Sequence, residues 1–90
     1  MGPNQNYKNM EEKYQALVDE RCQAYSWDVS DHVKHVMKSM LMGRDKHWMC
    51  GSFSQAVLDN NLGAAIRQAD DEMVKHLKHM VIARDNFFLR

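Results

Sequence analysis

Pro3 is the only proline in this chain, so nothing after it forbids a continuing helix. The apolar residues beyond it recur at helical spacing. Met10, Tyr14, Leu17, Val18 and Cys22 step by three and four and predict a first helix over about 10–25. Glu11 and Glu12 stand in its first turn, where the helix dipole favours acids. Ser26-Trp27-Asp28 interrupts the pattern. Val29, Val33, Val36, Met37, Met40 and Leu41 form a second stripe and predict a helix over 29–42. Asp28 or Ser30 caps it, Gly43 stops it, and Lys34 and Lys38 face away from the stripe. Residues 44–51 read as a loop. A short third helix is expected over 53–60, with Ser52 and Gln55 at capping-box spacing. A last helix is expected over 62–84. Its stripe is Leu62, Ile66, Ala69, Met73, Leu77, Met80 and Val81, which share one face at about 100° per residue. No stretch alternates apolar and polar residues with β-branched enrichment. The expected fold is all-α: a small bundle of three to four helices with one long C-terminal helix. Residues 1–8 read as a disordered N-terminal arm and 9–90 as a single helical domain.

Ninety residues limit the chain to one domain with a modest core, and association is a common way to enlarge such a core. Ile82 falls opposite the last stripe, and Phe87-Phe88-Leu89 forms an apolar tail. This surplus predicts a homo-oligomer, most simply a dimer.

Twelve basic and twelve acidic residues cancel, which argues against electrostatic wrapping of a polyanion. The charges are blocked, however. Residues 1–31 carry three basic against six acidic groups, and 32–58 carry four against one. Residues 59–72 carry one against four, and 73–90 carry four against one. Such blocks suit pairing between helices or between subunits, or simply solvated faces. Two cysteines, Cys22 and Cys50, are too few for a disulfide framework and point to a reducing compartment. No apolar run approaches the roughly 18 residues of a membrane span. The polar opening Asn4-Gln5-Asn6 does not read as a signal peptide. No membrane partner is expected.

Four histidines invite a metal reading. His32 and His35 are one pair at a spacing of three, and His76 and His79 another, with Glu72 four before His76. Lys34, Lys38, Lys75 and Lys78 lie among them and discourage a dication, and the Glu-x-x-His spacing of di-iron helices is absent. No metal or cofactor is expected. Cys50 follows His47 by three, but a cysteine nucleophile also needs a third, orienting group that the sequence does not supply. The chain is not expected to be an enzyme. Gly63 suits the turn of a helix-turn-helix, yet the helix after it holds Arg67 and the acids Asp70-Asp71-Glu72, which phosphates repel. Met37, Met40, Met73 and Met80 at stripe positions read as core filler or a flexible interface. Trp27 and Trp48 flank the second helix and either cover the core edge or stack on a planar ligand.

The Gly51–Asp70 segment is the richest in polar groups. Gly51-Ser52 precedes a helix, so free N–H groups and a hydroxyl suit an anion. Phe53 offers a ring, Asn60 and Asn61 sit at a helix break, and Arg67 suits a phosphate or carboxylate. The competing reading is structural. Ser52 caps, Gln55 completes the box, Phe53 is core, and Arg67 pairs with Asp70 or Asp71.

Gly51-Ser52-Phe53, Gln55-Ala56-Val57-Leu58, Asn60-Asn61-Leu62, Ala65 and Arg67-x-Ala69-Asp70 resemble the core of a family of short tailed-bacteriophage proteins. That core reads Gly-Gly/Ser-Phe-x-Gln-Ala-Val-Leu-x-Asn-Asp/Asn-Leu, followed by an alanine-rich helix with an Ala-Asp pair. The match spans about twenty of the ninety residues and departs from the pattern at Asn61, where Asp is common. Many relatives also continue with an aromatic, Gly/Pro-containing tail. The resemblance implies an accessory protein in the cytoplasm of an infected bacterium, and no activity. Two binding functions are expected to compete. One is an oligomer that sequesters a small anionic nucleotide-like immune signal through Ser52, Phe53, Asn60, Asn61, Arg67 and Trp48. The other is a helical inhibitor or adaptor of a host protein.

Overall fold

The computed structural model describes residues 3–89, with side chains from residue 9 onward. Met1, Gly2 and Arg90 lie outside the described residues. Those described form six helical segments and no strand: α1 (Pro3–Ala24), α2 (Asp31–Arg44), α3 (Ser52–Leu58), α4 (Leu62–Gln68), α5 (Asp71–Lys75) and α6 (Leu77–Asn86). None is long and apolar enough to cross a membrane. The all-α expectation holds. α1 packs along α2, which also meets α3 and α6, while α3 meets α4 and α6. Tyr14, Leu17, Val18 and Cys22 of α1 join Val33, Met37, Met40, Leu41 and Met42 of α2 at the centre of the core.

The N-terminal half follows its local signals. α1 begins at Pro3 rather than near Met10, a position that tolerates proline because its missing N–H has no helical partner there. Ser30 caps α2, its hydroxyl accepting from Val33 N at 3.2 Å. α2 runs through Gly43 to Arg44. Gly43 matters for space instead: a Cβ there would lie 2.8 Å from Cys50 Sγ. The charge blocks do pair between helices, with Lys34 on Asp19 at 3.5 Å and Lys38 on Glu11 at 3.6 Å. Lys38, expected to face away from the core, is buried with only 8% exposure. Its stem lies on the apolar seam while its ammonium reaches Glu11.

The expected long C-terminal helix does not form. The stretch breaks at Ala69–Asp70 and again at His76, leaving α1 as the longest helix and six segments in place of three to four. Ala69 and Asp70 are extended, with ψ of 142° and 175°. The Asp70 carboxylate accepts from Met73 N at 2.8 Å, so it starts a new helix rather than continuing the old one. The expected stripe is split as a result. Ala65, Met73, Met80 and Ala83 are buried, while Leu62 and Ile66 are half open to solvent. The break at Asn60-Asn61 is as expected. Asn60 takes a left-handed φ of 58°, which Asn tolerates, and Asn61 caps α4 through Ala64 N at 3.1 Å.

Two Arg-Asp pairs close the helix ends. The Arg44 guanidinium grips the Asp45 carboxylate with Nε–Oδ1 at 2.7 Å and Nη2–Oδ2 at 2.9 Å. Its Nη1 donates to the Arg84 carbonyl at 2.8 Å, near the C-terminal end of α6. Arg84 repeats the device: it binds Asp85 and donates to the Val57 carbonyl of α3 at 2.8 Å. Arg44 thus serves a carbonyl of the last turn of α6, and Arg84 adds a second bond to the Val57 carbonyl, which also accepts from Asn60 N at 3.1 Å. The Tyr14 hydroxyl of α1 donates to Asp45 as well.

Phe87 does not belong to an exposed apolar tail: it is fully buried. Its ring stacks on Trp27 at 5.6 Å and Tyr25 at 5.8 Å between centroids. Trp27 in turn meets the His79 ring at 4.3 Å, so His79 is half-buried rather than out among the lysines. Phe88 and Leu89 remain exposed.

Phe87→Ala is predicted to cost about 3–5 kcal/mol in urea unfolding, the range for emptying a core phenyl site. A value under about 1 kcal/mol would show that the ring does not fill the core. Burial, helped by His76 and Lys78, holds the His79 pKa below its ordinary 6.5. The folded chain therefore binds this proton less readily than the unfolded chain. Stability from this group is present above pH 6.5 and declines as pH falls below it. Thermal melts from pH 7.5 to 5 should show this decline, and His79→Phe should flatten it.

Candidate functional site

The break at Ala69–Asp70 has a consequence for the surface. It lays Gln68, Ala69, Asp70 and Met73 over the outer side of α2, opposite the Gly51–Ser54 turn. Between them lies a groove of about 340 Å³, completed by His32, His35, Val36 and Ser39 of α2. That volume suits one small molecule. Val36, Phe53 and Met73 are its larger apolar groups. The hydroxyls of Ser39, Ser52 and Ser54, the Gln68 amide, two imidazoles and the Asp70 carboxylate supply polar groups.

Local sequence explains each wall. Gly51 is extended, with φ −70° and ψ 174°, and takes the N-cap position of α3. Ser52 is therefore the first helical residue and not the cap. Gln55 does not close a capping box; its side chain donates forward to Asp59 Oδ1 at 3.0 Å. Phe53 is half-buried and Ser54 buried, so the turn is seated on the core. Across the groove, His32 Nε2 lies 3.1 Å from Asp70 Oδ2 and ties α2 to the start of α5. The Met73 N–H, with His32 beside it, holds the Asp70 carboxyl below the usual carboxylate range.

Of the residues expected to bind a ligand, Ser52 and Phe53 line this groove and the others do not. Trp48 supports it from behind, donating from Nε1 to the Ser39 carbonyl at 2.9 Å. Asn60 makes the α3–α4 turn, where Arg84 Nη1 approaches its Oδ1 at 3.4 Å. Asn61 is spent as a cap. Arg67 is exposed on α4, packed over Gly63, and forms no pair with Asp70 or Asp71. Asp70 is engaged with His32 instead.

His32, His35, Ser39, Ser54, Gln68 and Asp70 are the polar side chains of the groove that the motif alone did not single out as ligand contacts. His32 and His35 are visible in sequence as a spaced pair, and Asp70 as half of the Ala-Asp pair. What sequence does not show is that they meet. The other histidine pair sits elsewhere, with His76 Nδ1 and His79 Nδ1 2.9 Å apart beside Trp27. Among the described residues, no three His, Cys, Asp or Glu side chains are grouped to hold a metal ion.

Burial pushes both thiols, Cys22 and Cys50, above their ordinary range, so neither is held as a thiolate. Cys50 Sγ contacts the Gln55 amide oxygen at 3.7 Å. In comparison with known proteins, the chain matches no protein family, no curated protein and no solved structure.

Proposed function

We propose that this protein acts by stoichiometric binding, as a phage accessory protein that sequesters a small anionic nucleotide-like immune signal in the cytoplasm of an infected bacterium. One observation carries the ligand reading. The Gly51–Ser54 turn and the Gln68–Asp70 break, far apart in sequence, close with α2 into a single groove of about 340 Å³. Phe53 gives a base a surface to stack on, with Val36 and Met73 beside it. The His35 imidazole, the Gln68 amide and the serine hydroxyls are hydrogen-bond donors available to sugar and phosphate oxygens, while His32 is engaged with Asp70. The phage setting rests on the motif resemblance.

A homo-oligomer belongs to this reading. Leu62 and Ile66, one turn apart on α4, each leave 52% of their surface open. A second copy covering them would enlarge a small core. The same two residues favour the second reading, a helical inhibitor or adaptor that lays an α4 face on a host protein.

Native mass spectrometry of the protein from infected and uninfected cells tests ligand and assembly together, since it reports the bound small molecule and the oligomer in one spectrum. The expected result is a nucleotide-sized adduct, bound stoichiometrically, in the sample from infected cells. Phe53→Ala should weaken calorimetric affinity for that molecule by about 1–3 kcal/mol, the range for base–aromatic stacking. Arg67→Ala, outside the groove lining, should change it by less than about 0.5 kcal/mol. A protein free of adducts that captures a host protein through Leu62 and Ile66 would favour the second reading.

A further inference from the structure

A second groove, of about 420 Å³, runs between α1 and the C-terminal Phe88-Leu89 segment. It lies apart from the His32–Asp70 groove and shares no lining residue with it. We propose that it binds a small anion carrying a flat apolar body, such as an aromatic phosphate or carboxylate.

Three observations converge on that chemistry. Lys13, Leu17 and Arg21 are spaced by four along α1 and form one ridge that lines the groove. Arg21 Nε is shut from solvent and has no hydrogen-bond partner. A buried donor on a charged group without a partner is costly, and native structures rarely leave one without a reason. Nε itself is closed to the groove, so an anion there meets the accessible outer part of the Arg21 guanidinium, with the Lys13 ammonium on the same ridge.

The facing wall supplies the apolar surface. The Arg44 guanidinium lies 4.6 Å from the Phe88 ring centroid, over one face of the ring. Arg44 is itself held by Asp45 and the Arg84 carbonyl, so the ring has a rigid backing. Phe88 nevertheless keeps 52% of its surface open. A ring fixed by a cation on one side and open elsewhere is a stacking platform. Leu17 and Leu89 add apolar surface. Glu20 also lines the groove, so two cations stand against one carboxylate and the balance favours an anion.

Calorimetric titration of the full chain with phenyl phosphate and with benzoate tests this. Saturable one-to-one binding of at least one of them is expected. Benzyl alcohol and inorganic phosphate, each carrying half of the recognised chemistry, should bind about tenfold more weakly or worse. Arg21→Met keeps an apolar stem and removes the unpartnered nitrogen. It should hold or raise the melting temperature while lowering affinity about tenfold or more. Lys13→Met, at an exposed position, should also weaken binding, which guards against misfolding as the cause. Phe53→Ala, in the other groove, should leave these affinities unchanged. The proposal is overturned if neither aromatic anion binds saturably. It is equally overturned if Arg21→Met and Lys13→Met bind as wild type, or if Phe53→Ala abolishes binding.

Discussion

The Asp45 carboxylate is the group on which the rest of the structure depends. It accepts from Tyr14 of α1 and from the bidentate fork of Arg44. Burial alone would push its pKa up, but the Arg44 and Tyr14 hydrogen bonds outweigh it and hold Asp45 ionised below the ordinary range. Burial and the Asp45 carboxylate together raise Tyr14, which keeps its proton as the donor. Arg44 carries the linkage onward to the last turn of α6 and to the Phe88 ring. One carboxylate thus joins the first helix, the end of the second and the end of the last. A chain of this size has few apolar residues to spare, and a charge-assisted cluster that is fully bonded adds direction that apolar packing lacks.

Arg84-Asp85 does the same at the neighbouring helix end. Its guanidinium reaches Val57 at the end of α3 and so anchors the element whose start bears Gly51–Ser54. The candidate ligand groove is therefore built on tethered helices at its back and on a single link, His32 to Asp70, across its mouth. The groove beside Phe88 depends on the same framework, because Arg44 backs that ring. Both surfaces owe their shape to helix-end chemistry more than to the extent of the core.

Helix identity was legible where signals were local. The Ser30 cap, the α2 stripe and the Asn60-Asn61 break follow from residues within a few positions of one another. The break at Ala69–Asp70 was not legible, because no Gly or Pro marks it. Asp70 can cap a helix or ride on its surface, and His32, which grips it, lies 38 residues away. Phe87 reads as surplus in sequence for a similar reason: Tyr25 and Trp27, which enclose it, lie in the α1–α2 connection. At the site, Ser52 and Phe53 were readable from the motif. Arg67 stands out by its charge, yet the new helix start turns the groove toward Gln68 and Asp70 instead. A capping box at Ser52 is one residue out of register because extended Gly51 takes the cap position.

The most direct test of this account is a double-mutant cycle in urea between Tyr14→Phe and Arg44→Gln. If Asp45 joins the two groups in one bonded unit, removing both should differ from the sum of the single losses by about 1–3 kcal/mol. Losses that add to within about 0.3–0.5 kcal/mol would mean that the two contacts are independent. The carboxylate would then not be the keystone of this fold.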